Sequence, residues 1–421
     1  MPTAETEVQS PDPETPREPI DQESLVSLVV ELTYDCGGVR HAERRLMQRV
    51  NLWRDSLPKG LDTALIGMQA GEAVELAFAA GQFVPGPRAD LVCPVRLSDF
   101  DGMFVRGFHL HPDEGRFLPR GVLHRASLAG IFRDNMKPFR VRDTQTDRFI
   151  ADLNHPLAGL PVSLRAEVVA VGHKDGDRGG RCVDLIEELT AGAGMACRVA
   201  HRPTAFFERD WAVRLVEEDD AVFYAQPRYI AHVDAHAIET IEGLYARLLQ
   251  GRTRVLDLMS ADRSHLGRTA GLRHVAGLGL NASELSANVA LAERVVHDLN
   301  ATPGLPFADG GFDAVVCTVS VEYLTRPFEV FEEVARVLVP GGVFILTFSN
   351  RWFPPKVLKV WSAAHPYERL GLVLEYFMRT GRFEQLGTLV VSGFPRPEDD
   401  RHIAETSDAD PVFAVWGRVK A

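Results

Sequence analysis

From residue 254 onward, strand-length apolar segments alternate with segments of helical periodicity. One helical segment, 327–338, places Phe328, Phe331 and Val334 on a single face. Short apolar strands alternating with helices form a parallel sheet that helices cover on both faces. We therefore predict a doubly wound α/β sheet. Its strands are expected at 254–258, 274–280, 294–299, 312–320 and 342–349.

Two further strand-like segments, 386–394 and 410–420, close the chain with no helix between them. Their succession predicts an antiparallel pair at one edge of the sheet. In an open α/β sheet, ligands bind beyond the carboxyl ends of the strands, where the strand order reverses. The residues that follow each predicted parallel strand are therefore the candidates for a binding site.

Three of these segments carry a resemblance to a known family: VLDL at 255–258, DLNATPGLPFADGGFDAVV at 298–316 and LVPGG at 338–342. Together they resemble class I S-adenosylmethionine-dependent methyltransferases, of the small-molecule type called methyltransferase 11, over residues 254–350. The resemblance implies a Rossmann-like fold, S-adenosylmethionine as cofactor, and methyl transfer to an unidentified acceptor. A narrower resemblance, from FYAQPRYIAHVDAHAIETIEGLYARLL to VLDLMSADRSHL, extends this domain to 202–421.

The resemblance also implies which residues face the cofactor. A sulfonium cation with an ammonium group favours a nearby carboxylate, and adenine favours a polar partner on an apolar surface. The residues concerned are Asp257, Leu258, Met259 and Ser260 at the amino-acid end, Asp298 and Leu299 at the adenine, and Thr318 and Ser320 at the methyl-transfer cleft.

The sequence departs from the family pattern at two positions. The usual glycine-rich first loop is replaced by Asp-Leu-Met-Ser-Ala-Asp at 257–262. At the position where the family has an acidic residue that binds the ribose, this sequence has Gly279. Asn281 and Glu284 are the candidates to replace that residue. His265 is a candidate catalytic residue. His232 and Asp234 are further candidates for proton transfer or substrate binding.

The N-terminal half has a different organisation. Residues 1–24, rich in Pro, Glu, Ser and Thr, are predicted to be a disordered tail. Strands are expected at 25–34, 72–79 and 162–171, with a short helix at 61–68. The stretch 84–150 is too long for a plain loop and predicts an inserted lobe. The Gly- and charge-rich start of 173–201 predicts a linker between domains.

Two segments here carry a second resemblance. LPKGLDTALIGMQAGEAVELAF and DLNHPLAGLPVSLRAEVVAV resemble FKBP-type prolyl isomerases of the SlyD-like branch, over residues 25–172. The resemblance implies an α+β half-barrel with an inserted lobe, a polypeptide substrate, and a dry apolar cup that lowers the 18–20 kcal/mol barrier to peptide-bond rotation. The cup would be formed by Leu57, Leu61, Phe83 and Leu164.

Composition excludes some classes of function. A net charge of −12 argues against nonspecific nucleic-acid binding. The sequence contains no run of eighteen apolar residues, so no membrane span is predicted. The first residues lack a secretory pattern, so a cytoplasmic location is expected. The scattered cysteines form no CxxC pair and predict no metal site. Two hypotheses stay open: a methyltransferase joined to a prolyl isomerase or peptide-binding domain, or a chaperone whose methyltransferase fold is a non-catalytic scaffold.

Overall fold

The computed structural model describes residues 18–104, 109–126, 128–173 and 182–421. The N-terminal half consists mainly of antiparallel strands with short helices. In chain order its elements are β1 (Ser24–Cys36), β2 (Val39–Asn51), α1 (Leu61–Leu65), β3 (Ala73–Phe78), β4 (Val92–Arg96), β5 (Phe117–Pro119), β6 (Pro138–Thr144), β7 (Arg148–Asp152), β8 (Val162–His173) and α2 (Leu185–Leu189).

The C-terminal half alternates strands and helices. Its elements are α3 (Asp220–Phe223), α4 (Ala235–Leu248), β9 (Arg254–Leu258), β10 (His274–Gly279), α5 (Ala282–Ala287), β11 (Glu293–Val296), β12 (Phe312–Thr318), α6 (Pro327–Val337), β13 (Leu338–Phe348), α7 (Lys359–Ala363), α8 (Glu368–Thr380), β14 (Phe383–Ser392) and β15 (Val412–Val419). Within the described residues, no helix combines the length and the apolar character that a membrane span requires.

Strands β11, β10, β9, β12 and β13 lie side by side in this order and are all parallel. The order reverses between β9 and β12, which makes their carboxyl ends the switch point where ligands bind in such sheets. The central strand β9 is buried at Val255, Leu256 and Leu258 because it packs against neighbours on both faces. The predicted Rossmann-like α/β sheet is therefore confirmed.

The predicted antiparallel pair is present as β14 and β15, but its position was wrong. Strand β15 lies between β13 and β14, and the outer side of β14 is not an edge. It pairs in parallel with β2, from Gly387 opposite Arg40 to Ser392 opposite Arg45. An unpaired strand edge exposes backbone hydrogen-bonding groups, and β2 satisfies them. The two halves thus form one sheet of eleven strands among the described residues.

The N-terminal part of this sheet continues from β2 through β1 and β8 to β3, all antiparallel. Leu61 and Leu65 of α1 are fully buried in the same core as these strands. Strands β4 to β7 form a separate four-stranded sheet with its own apolar core. They lie in the chain between β3 and β8, where the sequence predicts an inserted lobe.

The described part of the predicted linker, 182–201, is not a linker. Leu185 and Leu189 of α2 are buried in the N-terminal core, and Ser56 forms a β-bridge with Asp184. The apolar spacing of α2 was obscured by the Gly- and charge-rich residues before it. The predicted tail was also too long, because Ile20 is only 2% exposed and its N–H donates to the Met68 carbonyl. Residues 1–17 of the predicted tail and residues 174–181 of the predicted linker lie outside the described residues.

Helix α8 connects the two halves through buried ion pairs. The Arg198 guanidinium donates to both carboxylate oxygens of Glu375 at 2.7 Å. Arg116, at the start of β5, donates from Nε to Glu368 Oε1, also at 2.7 Å. A Cβ at Gly192 would lie 2.1 Å from the Tyr367 ring, so this contact requires glycine. The inserted lobe and the 182–201 segment are therefore both held against α8.

Replacing Glu375 with alanine tests how strongly the buried ion pairs stabilise the chain. The change leaves Arg198 without its carboxylate, and we expect the free energy of unfolding to fall by about 3 kcal/mol. This is the lower end of the usual cost, because the Arg198 side chain is 22% exposed. The measurement is urea unfolding of the full chain, followed by tryptophan fluorescence. As a control, Glu329→Ala breaks an exposed pair with Arg326 and should barely move the midpoint. Equal shifts for the two variants would contradict the prediction.

Candidate functional site

A cleft of about 260 Å³ lies at the carboxyl ends of the parallel strands. The sheet side is formed by the residues that follow β9, β10, β11 and β12. The opposite side is formed by parts of the segment 220–232 and by residues 351–353, which follow β13. The cleft therefore lies at the switch point of the strand order.

Asp257, near the end of β9, is a buried carboxylate in this cleft, with an exposed fraction of 2%. Ser260 Oγ donates to its Oδ2 at 2.6 Å. Asn288 Nδ2 donates to Ser264 Oγ at 2.8 Å and so orders the same loop. Burial raises the pKa of Asp257 to about 6, partly offset by hydrogen bonds from the two serines. Asp257 is thus mostly ionised at pH 7 and lies where a cationic group can be stabilised.

The missing glycines of the first loop are replaced by a strained residue. Met259 adopts a left-handed φ of 58°, which glycine takes more easily. Its side chain packs against the sheet core and leaves the cleft open. Leu258 is fully buried, so its side chain is not part of the cleft.

Gly279 allows the first loop to cross the end of β10. A Cβ at this position would lie 2.1 Å from the Ser260 carbonyl oxygen. The Ser260 N–H donates to the Leu278 carbonyl at 2.8 Å, which fixes the crossing. The position where the family has an acidic residue therefore needs glycine in this chain, because the loop lies directly over it.

Asn281 and Glu284, the two candidate replacements, differ in their roles. Asn281 caps α5 by accepting hydrogen bonds from the Ser283 and Glu284 N–H groups. Its amide also donates to the carbonyls of Tyr224 and Ala225, so the side chain is fully used in structure. Glu284 lines the cleft, and its Oε1 accepts the Arg228 N–H at 2.6 Å. Burial raises the pKa of Glu284. Of the two, Glu284 is the one that places a carboxylate at the cleft.

The other predicted residues at the strand ends lie together in the cleft. Asp298 Oδ1 accepts the Asn300 N–H at 2.8 Å, which fixes the turn after β11, and Leu299 beside it is 4% exposed. Thr318 Oγ1 lies 2.7 Å from the Tyr245 hydroxyl, and Ser320 Oγ donates to the Thr318 carbonyl. Their hydroxyls are therefore held in place at the end of β12.

His265 and His232 also line the cleft. Burial lowers the pKa of His265 to about 4, and burial likewise lowers that of His232. Both imidazoles are therefore neutral at pH 7. His265 also has a left-handed φ of 53°. Asp234, the third candidate, does not line this cleft: it caps α4 by accepting the Ala237 N–H and lies against Arg396.

Sequence reasoning assigned no role to residues 220–228, which belong to the segment that covers the cleft. Asp220 anchors it through Lys356 Nζ and Asn300 Nδ2, each at 2.8 Å. Tyr224 and Arg228 of the same segment line the cleft. The sequence signal was the YAQPRY run, which belongs to the narrower methyltransferase resemblance.

The four residues predicted to form an isomerase cup lie in one apolar cluster of the N-terminal core. Leu61, Phe83 and Leu164 are 0%, 4% and 1% exposed, whereas Leu57 is partly buried. The Phe83 ring packs against Phe78, with 5.1 Å between ring centroids. In this conformation Leu61, Phe83 and Leu164 offer little surface to a peptide.

Comparison with known proteins finds a match within the C-terminal half. Residues 261–346 match the family model of a methyltransferase domain. The chain is 31% identical over 81 residues to the biotin biosynthesis bifunctional protein BioHC of Teredinibacter turnerae. That match covers 19% of this chain and 14% of the relative. The chain thus spans only a small part of the relative's length.

Solved structures similar to the chain include YcgJ of Bacillus subtilis, at 16% identity and a TM-score of 0.32, covering 44% of this chain and 99% of that one. A possible histamine N-methyltransferase of Thermotoga maritima has the same identity and TM-score, covering 44% and 90%. These values are too low for a substrate or mechanism to be carried over.

The residues of the cleft fit a cationic nucleoside cofactor. Met259 leaves the space beyond β9 open, Asp257 supplies a buried carboxylate, and the buried Tyr224 hydroxyl has no partner among the described residues. Residues 261–346, which follow Asp257 and include the strands on both sides of β9, match a methyltransferase domain, and S-adenosylmethionine is the cofactor that this match implies.

Proposed function

We propose that the chain transfers a methyl group from S-adenosylmethionine to a small acceptor that binds in the same cleft. The observation that carries this proposal is the open cleft at the switch point, with the buried carboxylate of Asp257 in its wall. Asp257 would hold the cationic amino-acid end, and Glu284 would hold the ribose. Asp298 and Leu299 would hold the adenine.

The acceptor is expected on the side of β12 and β13. When bound, the cofactor supplies an electrophilic methyl group on its sulfonium. The Thr318 and Ser320 hydroxyls, fixed at the end of β12, line the acceptor path. An oxygen or nitrogen nucleophile loses a proton as it gains the methyl group. His265, whose side chain lines the cleft, is the proposed acceptor of that proton.

Cofactor binding separates this proposal from the non-catalytic scaffold. We expect S-adenosylmethionine to bind with micromolar affinity and Asp257→Asn to weaken it at least about tenfold, since the variant loses a buried charge facing a cation. In the wild type the affinity should fall as pH drops from 7.5 to 5, because protonation through a pKa of about 6 removes the same charge. Isothermal titration at the two pH values measures both effects.

Two controls apply to that titration. Asp309→Asn removes an acidic side chain 81% exposed outside the cleft and should leave the affinity unchanged. The Asp257→Asn variant should lose most of the pH dependence, which separates Asp257 from Glu284. No binding heat with the wild-type chain would reject the methyltransferase and support the scaffold.

His265 is tested by label transfer. The wild type should transfer methyl label from S-adenosylmethionine to a component of a protein-free small-molecule extract. We expect His265→Asn to slow this transfer about a hundredfold, the lower end for loss of a general base, while cofactor affinity stays within twofold. An unchanged rate would remove His265 from the mechanism. Weakened cofactor binding would instead show that it shapes the binding site.

Prolyl isomerisation by the N-terminal half is the second candidate. The favouring observation is topological: an antiparallel sheet holds α1 in its core, and a separate four-stranded lobe lies between β3 and β8. The burial of Leu61, Phe83 and Leu164 opposes it, since a substrate must reach the cup. This second candidate function includes a polypeptide substrate and an α+β half-barrel fold for the N-terminal half.

A proline-limited refolding assay decides this second candidate. Uncatalysed isomerisation takes about 10–100 s, so catalysis is visible as an accelerated slow phase. If the cup opens to a peptide, the full chain should accelerate that phase, and Phe83→Ala should reduce the effect. A slow phase that stays unchanged at a high concentration of the chain would reject isomerase activity.

A further inference from the structure

Arg228 differs from two other arginines of the cleft, Arg351 and Arg263, which lie close to carboxylates. Arg351 donates to Asp410 at 2.8 Å, and Arg263 lies 3.6 Å from Asp262. Arg228 forms no such ion pair with any described residue. Its guanidinium donates to the Phe223 carbonyl at 3.1 Å and lies over the rings of Phe223, Tyr224 and Phe353. A half-buried cation without an anion is costly, so a ligand anion would stabilise it.

The position of Arg228 is fixed by its neighbours. Its backbone N–H donates to Glu284 Oε1 at 2.6 Å, which fixes the main chain at this residue. The amide of Asn281 holds the Tyr224 carbonyl at 2.9 Å. Phe353, under the guanidinium, is held by a hydrogen bond from its N–H to the Tyr323 hydroxyl at 2.7 Å. The cation therefore occupies a constrained place within the cleft.

A second unsatisfied donor lies beside this cation. The Tyr224 hydroxyl is buried in the cleft wall without a hydrogen-bond partner among the described residues. Buried polar groups are nearly always hydrogen-bonded, so an unpaired one at a cleft indicates a missing ligand group. A planar guanidinium and a hydroxyl together suit an oxyanion, because the guanidinium binds carboxylates in a bidentate manner.

The location of the pair favours the acceptor over the cofactor. Arg228 stacks 5.2 Å from the Phe353 ring, and Phe353 follows β13. The cofactor-binding candidates Asp257 and Asp298 lie at β9 and beyond β11, and Glu284 in α5 accepts the backbone N–H of Arg228 rather than its guanidinium. We propose that the methyl acceptor carries a carboxylate or a similar planar oxyanion, which Arg228 and Tyr224 bind. This inference rests on the proposed methyl-transfer function.

The test uses the full chain loaded with S-adenosylhomocysteine and a matched probe pair, benzoate and benzamide, titrated by NMR. Benzoate should bind at least about tenfold tighter than benzamide, since a charge-assisted hydrogen bond contributes more than a neutral one. Arg228→Gln should abolish the difference, and Tyr224→Phe, which keeps the ring, should weaken benzoate severalfold. Arg401→Gln, at an exposed arginine of the cleft rim, is the control and should change neither affinity.

The opposite outcomes are distinct. Equal affinities for the two probes, or binding of neither, overturn the oxyanion site while leaving cofactor binding intact. If Arg228→Gln weakens S-adenosylhomocysteine about tenfold but not 5′-methylthioadenosine, which lacks the carboxylate, the cation serves the cofactor and the inference is wrong. Failure of the wild type to bind S-adenosylhomocysteine rejects the proposed function itself.

Discussion

The pairing of β2 with β14 is the interaction on which the arrangement of the whole chain depends. It joins the parallel sheet of the C-terminal half to the antiparallel sheet of the N-terminal half. The backbone hydrogen bonds of this joint connect β2 to the part of β14 between Gly387 and Ser392. Because these bonds leave β14 without a free edge, the two halves share one sheet, and α8 reinforces the joint with the buried carboxylates of Glu368 and Glu375.

The cleft shows how a binding site is kept open without the usual glycines. Three non-glycine residues that line it, Met259, His265 and Val319, have left-handed φ values. Such conformations cost of the order of 1–3 kcal/mol each and persist where surrounding structure imposes them. Here the imposing contacts are the close approach of Ser260 to Gly279 and the serine and asparagine hydrogen bonds around Asp257. The strain thus coincides with the residues that the proposed chemistry uses.

The parallel sheet was predictable because its strands are apolar on both faces, whereas β2 was missed. Its sequence is dominated by charged residues, yet His41 and Glu43 are buried. His41 Nδ1 lies 2.8 Å from Thr388 Oγ1, and the Tyr34 hydroxyl donates a hydrogen bond to Glu43 Oε1 at 2.8 Å. Burial raises the pKa of Glu43 to about 8, so it is mostly protonated at pH 7. A polar strand can lie inside a sheet only when such partners exist, and local sequence does not reveal them.

The sequence by itself determined the α/β class, through its apolar periodicity. The short runs at the strand ends also determined which edge of the sheet carries the cleft, and most of the residues on its sheet side, from Asp257 to Ser320. These features depend on neighbouring residues in the chain. The tertiary structure alone decided that β14 is covered, that Asn281 and Asp234 are capping residues, and that Tyr224 and Arg228 face the cleft. Each of these depends on a partner distant in sequence, and the burial and hydrogen bonding that such a partner supplies arise only when the chain is folded.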